Sequence, residues 1–167
     1  MGTTNPERIF NTHGSAGTPS EYAVVHSSEG AYTHPQKGQH IRLKSGGHGQ
    51  AGLKLLEKYG IEYHIVKTYP NGVRVGYVPN HKAPKKKNGL NQSWFPANWT
   101  AKDIKRAGEH VAKLKHNRHK EDGIKLYGTW KGVRVIVMRT HGQIGTIFPD
   151  SKQPLKKKGK GNGRTKV

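Results

Sequence analysis

The chain has 167 residues, with 30 Lys+Arg against 10 Asp+Glu, 11 His, no Cys and a formal net charge of +20. That length fits one domain plus tails, and that charge draws the molecule toward polyanions. The missing cysteine excludes disulfides, thiolate zinc sites and a Cys nucleophile, and no apolar run approaches the roughly 18 residues of a membrane span.

Residues 1–44 read as a linker or lead-in segment, loosely ordered. Gly, Ser, Thr, Pro and His recur there without periodicity, and Tyr22-Ala23-Val24-Val25 is the one apolar knot. Its start has no apolar stretch of the kind that opens a signal peptide. The apolar residues gather between about Leu53 and Phe148, which predicts a folded domain over residues 45–152. From Ala51 to Tyr59, apolar residues at Leu53, Leu55, Leu56 and Tyr59 predict a short amphipathic helix stopped by Gly60. Ile61 to Tyr69 and Val73 to Val78 read as two strands joined by the turn Pro70-Asn71-Gly72. Thr100 with Asp103 is close to a capping box, and it opens a helix from Ala101 to Leu114 with Ile104, Ala107, Val111 and Leu114 on one face. Ile124 to Trp130 and Val133 to Arg139 form strands across Lys131-Gly132, and His141-Gly142 turns the chain into a last strand from Gln143 to Phe148. The order of elements predicts an α+β fold with helices packed on an antiparallel sheet. Residues 153–167 are basic: Lys156, Lys157, Lys158, Lys160, Arg164 and Lys166 stand among glycines. They read as a disordered tail that either grips phosphates without specificity or keeps the molecule in solution.

The chemistry concentrates in a few histidines. His48 sits in Ser45-Gly-Gly-His-Gly-Gln50, where glycines permit close approach of a phosphate and free backbone N–H groups can hold an anion. An exposed His48 is therefore expected. His64 lies in a strand, on the same face as Glu62 and Val66. His81 ends the second hairpin strand and opens the run His81-Lys-Ala-Pro-Lys-Lys-Lys87. Each also has a plain reading, as a turn, a strand-face or a surface histidine. Two histidines beside a lysine have a specific use on RNA, which carries its own nucleophile in the 2′-hydroxyl. One neutral imidazole removes that proton, a second protonates the leaving 5′-oxygen, and a lysine steadies the charge that builds on phosphorus. No cofactor is needed, and no metal is expected: His116 and His119 are three apart but stand among Lys115, Arg118 and Lys120, which repel a divalent ion.

Several stretches carry a family resemblance, in order along about two-thirds of the chain. Among them are Ser45-Gly-Gly-His-Gly-Gln50, Tyr69-Pro-Asn-Gly-Val-Arg-Val-Gly76, Val78-Pro-Asn-His-Lys82, Gln92-Ser-Trp-Phe-Pro96 and Thr146-Ile-Phe-Pro-Asp150. Residues 45–152 resemble the bacterial EndoU ribonuclease domain, in the version found at the C-termini of polymorphic and contact-dependent growth-inhibition toxins. The resemblance implies a fold grouped with barnase, colicin-type nucleases and RelE. It implies metal-independent or metal-stimulated RNA cleavage by two histidines, a lysine and a hydroxyl, and the metal-independent form, leaving 2′,3′-cyclic phosphate ends, is the one expected. His48 matches a family catalytic histidine, and the second is His64 or His81. Lys87 is assigned the lysine role from the run Lys85-Lys86-Lys87, and Thr146 the hydroxyl role. Phe148 stands where many relatives carry Tyr and keeps the stacking of a base; Trp94 is a second stacking candidate. The implied protein is a monomer that cuts tRNA in the cytoplasm of a target cell, is delivered as the C-terminal part of a larger toxin, and is held in check by a small acidic immunity protein. Two other classes stay in view: a basic RNA-binding protein without catalysis, and a metal-dependent DNase, which the scarcity of Asp and Glu disfavours.

Overall fold

The computed structural model describes residues 13–34 and 38–156. Its elements are α1 (Glu21–Ser28), β1 (Ala31–Tyr32), β2 (Leu43–Ser45), α2 (Gln50–Lys58), β3 (His64–Thr68), β4 (Arg74–Tyr77), β5 (Gln92–Trp94), α3 (Ala101–Lys113), β6 (Leu126–Trp130), β7 (Val133–Thr140) and β8 (Gln143–Pro149), with one 3-10 turn at Pro84–Lys87. The fold is α+β, as the order of elements predicts, but the strands form three small antiparallel sheets in place of one. These are β1-β2, β3-β4-β5 and β6-β7-β8. Where β5 meets β8, a side chain replaces the ladder: Ser93 Oγ donates to the Pro149 carbonyl at 2.8 Å.

Each helix has a local cause. Thr100 and Asp103 complete the capping box of α3, whose buried face is Ile104, Ala107, Gly108, Val111 and Ala112. That face covers β6, β7 and β8 to make the main core with Leu126, Val135, Val137 and Ile147. At Gly108 any Cβ would collide with the Ile147 side chain, so the close approach of helix and sheet depends on it. A second core gathers Leu43, Leu53, Leu56, Ile61, Val78 and Trp94 under α2. The Lys131-Gly132 and His141-Gly142 hairpins turn with positive φ at both residues, 49° and 77° in the first and 55° and 75° in the second.

The segment expected to be a loose linker differs most from its sequence reading. α1 lies inside it, capped by Ser20, and packs on β8 and α3. Two of its four buried residues are serines, so no apolar stripe announces it. One of these serines holds the neighbouring sheet: Ser27 Oγ accepts the Ile147 N–H at 3.0 Å and closes the edge of β8. The expected basic tail falls outside the described residues from residue 157 onward.

Arg139 ties the chain's distant parts together. It is 3% exposed and has no acidic partner among the described residues. Its guanidinium donates to the carbonyls of Ala16 (2.8 Å), Asn117 (3.0 Å), Lys120 (3.0 Å) and Ala112 (3.1 Å). Among the described residues, no helix is long and apolar enough to cross a membrane.

Candidate active site

Gly46 and Gly47 take φ of 68° and 76°, a region that favours glycine. A Cβ on Gly46 would strike the His26 carbonyl. The glycines therefore admit the end of α1 and not, as expected, a phosphate. The loop's amides are already used: Gly47 N–H donates to the His26 carbonyl, His48 N–H to that of Ser27 and Gly49 N–H to that of Ser28. Those three amides are closed to an anion. The consequence is that α1 delivers His26 beside the His48 loop.

His48 is 4% exposed, where an exposed ring was expected. Its Nδ1 lies 2.7 Å from the Ser93 carbonyl. A carbonyl only accepts, so Nδ1 carries the proton and Nε2 keeps its lone pair. Phe148 packs against the ring at 5.4 Å between centroids. Burial holds the imidazole well below its usual titration range, and the Lys86 ammonium adds to this; His26 and His81 push the same way, against the Ser93 bond. His48 is therefore a neutral imidazole with a fixed tautomer, aimed by β5, which suits a general base.

Three side chains act on this ring. His26, half-buried in the last turn of α1, has its titration lowered by burial. Lys86 sits in the 3-10 turn, and burial lowers its ammonium to about 8, helped by Lys85 and Lys125. His81 is 1% exposed; its Nδ1 accepts the Ala83 N–H at 2.8 Å. Its proton therefore sits on Nε2, which is buried with no partner among the described residues. Burial, then Lys86, Arg42 and Lys87, lower His81 to about 4.

Of the residues expected to act, His48 and His81 fall in one cluster. His64 does not act on His48. It stands on the outer strand β3, 2.5 Å from Glu62 and stacked on Tyr77 at 4.8 Å. Lys87 is exposed and reaches only His81 among these histidines, while its neighbour Lys86 reaches both His48 and His81. Thr146 is half-buried on β8, two residues from Phe148 and so on the same strand face. Trp94 is fully buried in the second core, which removes it as a stacking surface. His26 was missed by motif reading. The available cue was Ser20-Glu21 before the apolar knot, a helix start that turns Tyr22–His26 from linker into α1.

A cavity of about 550 Å³ opens beside the cluster, lined by Lys86, Ser93 and Phe148 together with Lys85, Lys125 and Lys152. It offers a cationic mouth to a polyanion, with His48 behind one wall. The family model described as bacterial EndoU nuclease matches residues 28–151. No curated protein and no solved structure matches the chain.

Proposed function

Because the chain belongs to the bacterial EndoU nucleases, we propose that it is an endoribonuclease that works through the RNA's own 2′-hydroxyl. The observation that carries this reading is the fixed tautomer of His48, whose free Nε2 suits the role of a base. His48 takes the 2′-hydroxyl proton as that oxygen attacks phosphorus. The P–O5′ bond breaks, and a second imidazole protonates the leaving 5′-oxygen. His26 fits that second role better than the histidines expected from sequence. It acts on His48 and keeps solvent contact, whereas His81 is enclosed and His64 is occupied with Glu62 and Tyr77. An arriving phosphate raises the affinity of His26 for its proton. Lys86, the lysine that acts on His48, stabilises the charge on the phosphorane-like transition state. Thr146 contributes a hydroxyl from the strand that carries Phe148. The products are a 2′,3′-cyclic phosphate and a 5′-hydroxyl, and DNA is not a substrate.

The same reading extends to biology through the family resemblance. The substrate is tRNA in a target cell, the domain is delivered as the C-terminal part of a larger toxin, and an acidic immunity protein covers the cationic mouth. The +20 charge supports both an RNA substrate and an acidic inhibitor.

The test is cleavage of RNA by the wild type and by His48→Ala and His26→Ala, with thermal melts run alongside. His26→Ala should melt near the wild type, and His48→Ala should melt lower because it empties a buried site but stay folded; each should lose roughly a hundredfold or more in kcat, the scale of acid–base catalysis. His64→Ala should keep its activity, and EDTA should leave cleavage unchanged. Wild-type cleavage by a folded His48→Ala protein would sink the assignment. A folded His26→Ala protein at full rate would move the acid role elsewhere.

A further inference from the structure

One face of the β6-β7-β8 sheet packs under α3, and the other carries a feature that acid–base chemistry does not use. The strand register places Tyr127 opposite Ile136 and Ile136 opposite Phe148. The three side chains therefore form one row across the sheet, on the face away from Leu126, Val135, Val137 and Ile147. The row begins at the His48 ring, against which Phe148 packs. It ends two strands away at Tyr127, about 10 Å on by the usual strand spacing. Tyr127 is 46% exposed, a large ring left open to solvent.

Two cavities meet at its far end. Tyr127 and Arg134 line both the cavity of about 550 Å³ beside the catalytic cluster and a second of about 790 Å³. The first holds Lys86, Lys125 and Lys152; the second adds Lys131 and His116. Arg134 is half exposed and meets Asp150 at 3.5 Å, a weak surface pair that leaves its N–H groups available. An aromatic ring between cationic walls is what an unpaired nucleotide strand needs: a π-face for a base and positive charge for its phosphates.

We propose that this sheet face is a binding platform for single-stranded RNA. It holds the nucleotides flanking the scissile phosphate, with one base stacked on Tyr127 and the adjoining phosphates on Lys125, Lys131 and Arg134. The platform deepens the ribonuclease reading and rests on it for the polarity of the strand. It makes the enzyme sensitive to substrate length, because a dinucleotide fills the catalytic end and stops short of Tyr127.

The experiment compares wild type, Tyr127→Ala and Tyr127→Phe in two assays. In the first, fluorescence anisotropy measures binding of 2′-O-methyl RNA, which cannot be cut, as a dinucleotide and as an octamer. Tyr127→Ala should weaken the octamer about tenfold, the scale of one lost stacking contact. It should leave the dinucleotide unchanged, and Tyr127→Phe should restore octamer binding. In the second, kcat/KM for a long RNA should fall in Tyr127→Ala while that for a dinucleotide holds. Equal octamer affinity in all three proteins, with melts unchanged, overturns the platform even if RNA is cut. Tyr127-dependent octamer binding by a protein that cuts no RNA retains the platform and overturns the nuclease mechanism. If Tyr127→Ala instead weakens only an acidic protein inhibitor, the face is a protein interface and the proposal is wrong.

Discussion

Burial and neighbouring charge decide which proton each histidine and lysine of the cluster holds. His48 and Lys86 form a like-charge pair, so each proton held by one disfavours a proton on the other. With His48 held well below its usual range, first by burial and then by Lys86, it is already neutral at pH 7. The acid limb of kcat/KM should therefore lie below about pH 6.5, the ordinary imidazole value. On the basic side, His26 must hold its proton to act as the acid; burial lowers its titration, so it sets the first fall of kcat/KM. Lys86 adds a second. Its ammonium is lowered to about 8, so the positive charge is present below that pH and lost as pH rises through it. The decline in cleavage should steepen above about pH 8 in the wild type. Lys86→Arg keeps its charge at any pH reached, and should remove that steepening. Lys86→Ala should lose rate throughout and move the acid limb upward, because one cause of the lowered His48 titration is gone. A pH profile of kcat/KM on RNA checks all three. A Lys86→Arg profile that still steepens at about pH 8 removes Lys86 from the basic limb.

At the level of elements, Arg139 shows what binds the N-terminal segment to the domain. Its fork joins residue 16, the last turn of α3 and the loop after it to β7. The Ala112 carbonyl belongs to the C-terminal turn of α3, where a positive charge is favoured. Arg139→Lys keeps the charge but has three donors where Arg has five, and Lys cannot reach four carbonyls from one point. It should lower stability by about 3 kcal/mol, the scale of two lost charge-assisted bonds. Urea unfolding measures it, and a change under about 1 kcal/mol would mean that water replaces those bonds freely. Most of the elements from residue 50 onward were legible, because period and punctuation agree there. α2 and α3 keep helical spacing with clear ends, and β3-β4, β6-β7 and β7-β8 have turn residues where they turn. β1, with two residues, was not legible, nor were three elements that build the site. α1 hides two serines in its buried face, β2 has three residues, and β5 has three, all buried, within the aromatic corner Gln92–Thr100. These three build the site: α1 brings His26, the loop after β2 brings His48, and β5 supplies the carbonyl that sets the His48 tautomer. The glycines of Gly46-Gly47-His48 pointed to the site for a reason other than the true one. Their positive φ serves the docking of α1, which no local pattern reveals.

On the scale of the whole molecule, charge sets how the protein meets its substrate. Of the +20, five positive charges lie in residues 157–167, at Lys157, Lys158, Lys160, Arg164 and Lys166, and that stretch has no acidic residue. Lys85, Lys86, Lys125 and Lys152 instead surround the cavity by the catalytic cluster. The two groups should separate experimentally. Contacts with phosphates release counterions, so log affinity falls linearly with log salt, by about 0.7 per phosphate contacted on a single strand. Truncation after residue 156 should weaken binding of a long RNA and flatten its salt slope. It should leave cleavage of a dinucleotide unchanged, because no catalytic group is lost. Replacing Lys125 and Lys152 by Gln should flatten the slope by up to about 1.4 for two lost contacts, and should also slow cleavage of long RNA, because these lysines line the cavity beside the His48 cluster. Binding titrations between roughly 50 and 300 mM salt, with kcat/KM on both substrates, make the comparison. If truncation slows the dinucleotide as much as the long RNA, the terminal charges belong to the active site. If neither change alters the slope, the positive charge acts through its long-range field, and its effect should then appear in the association rate.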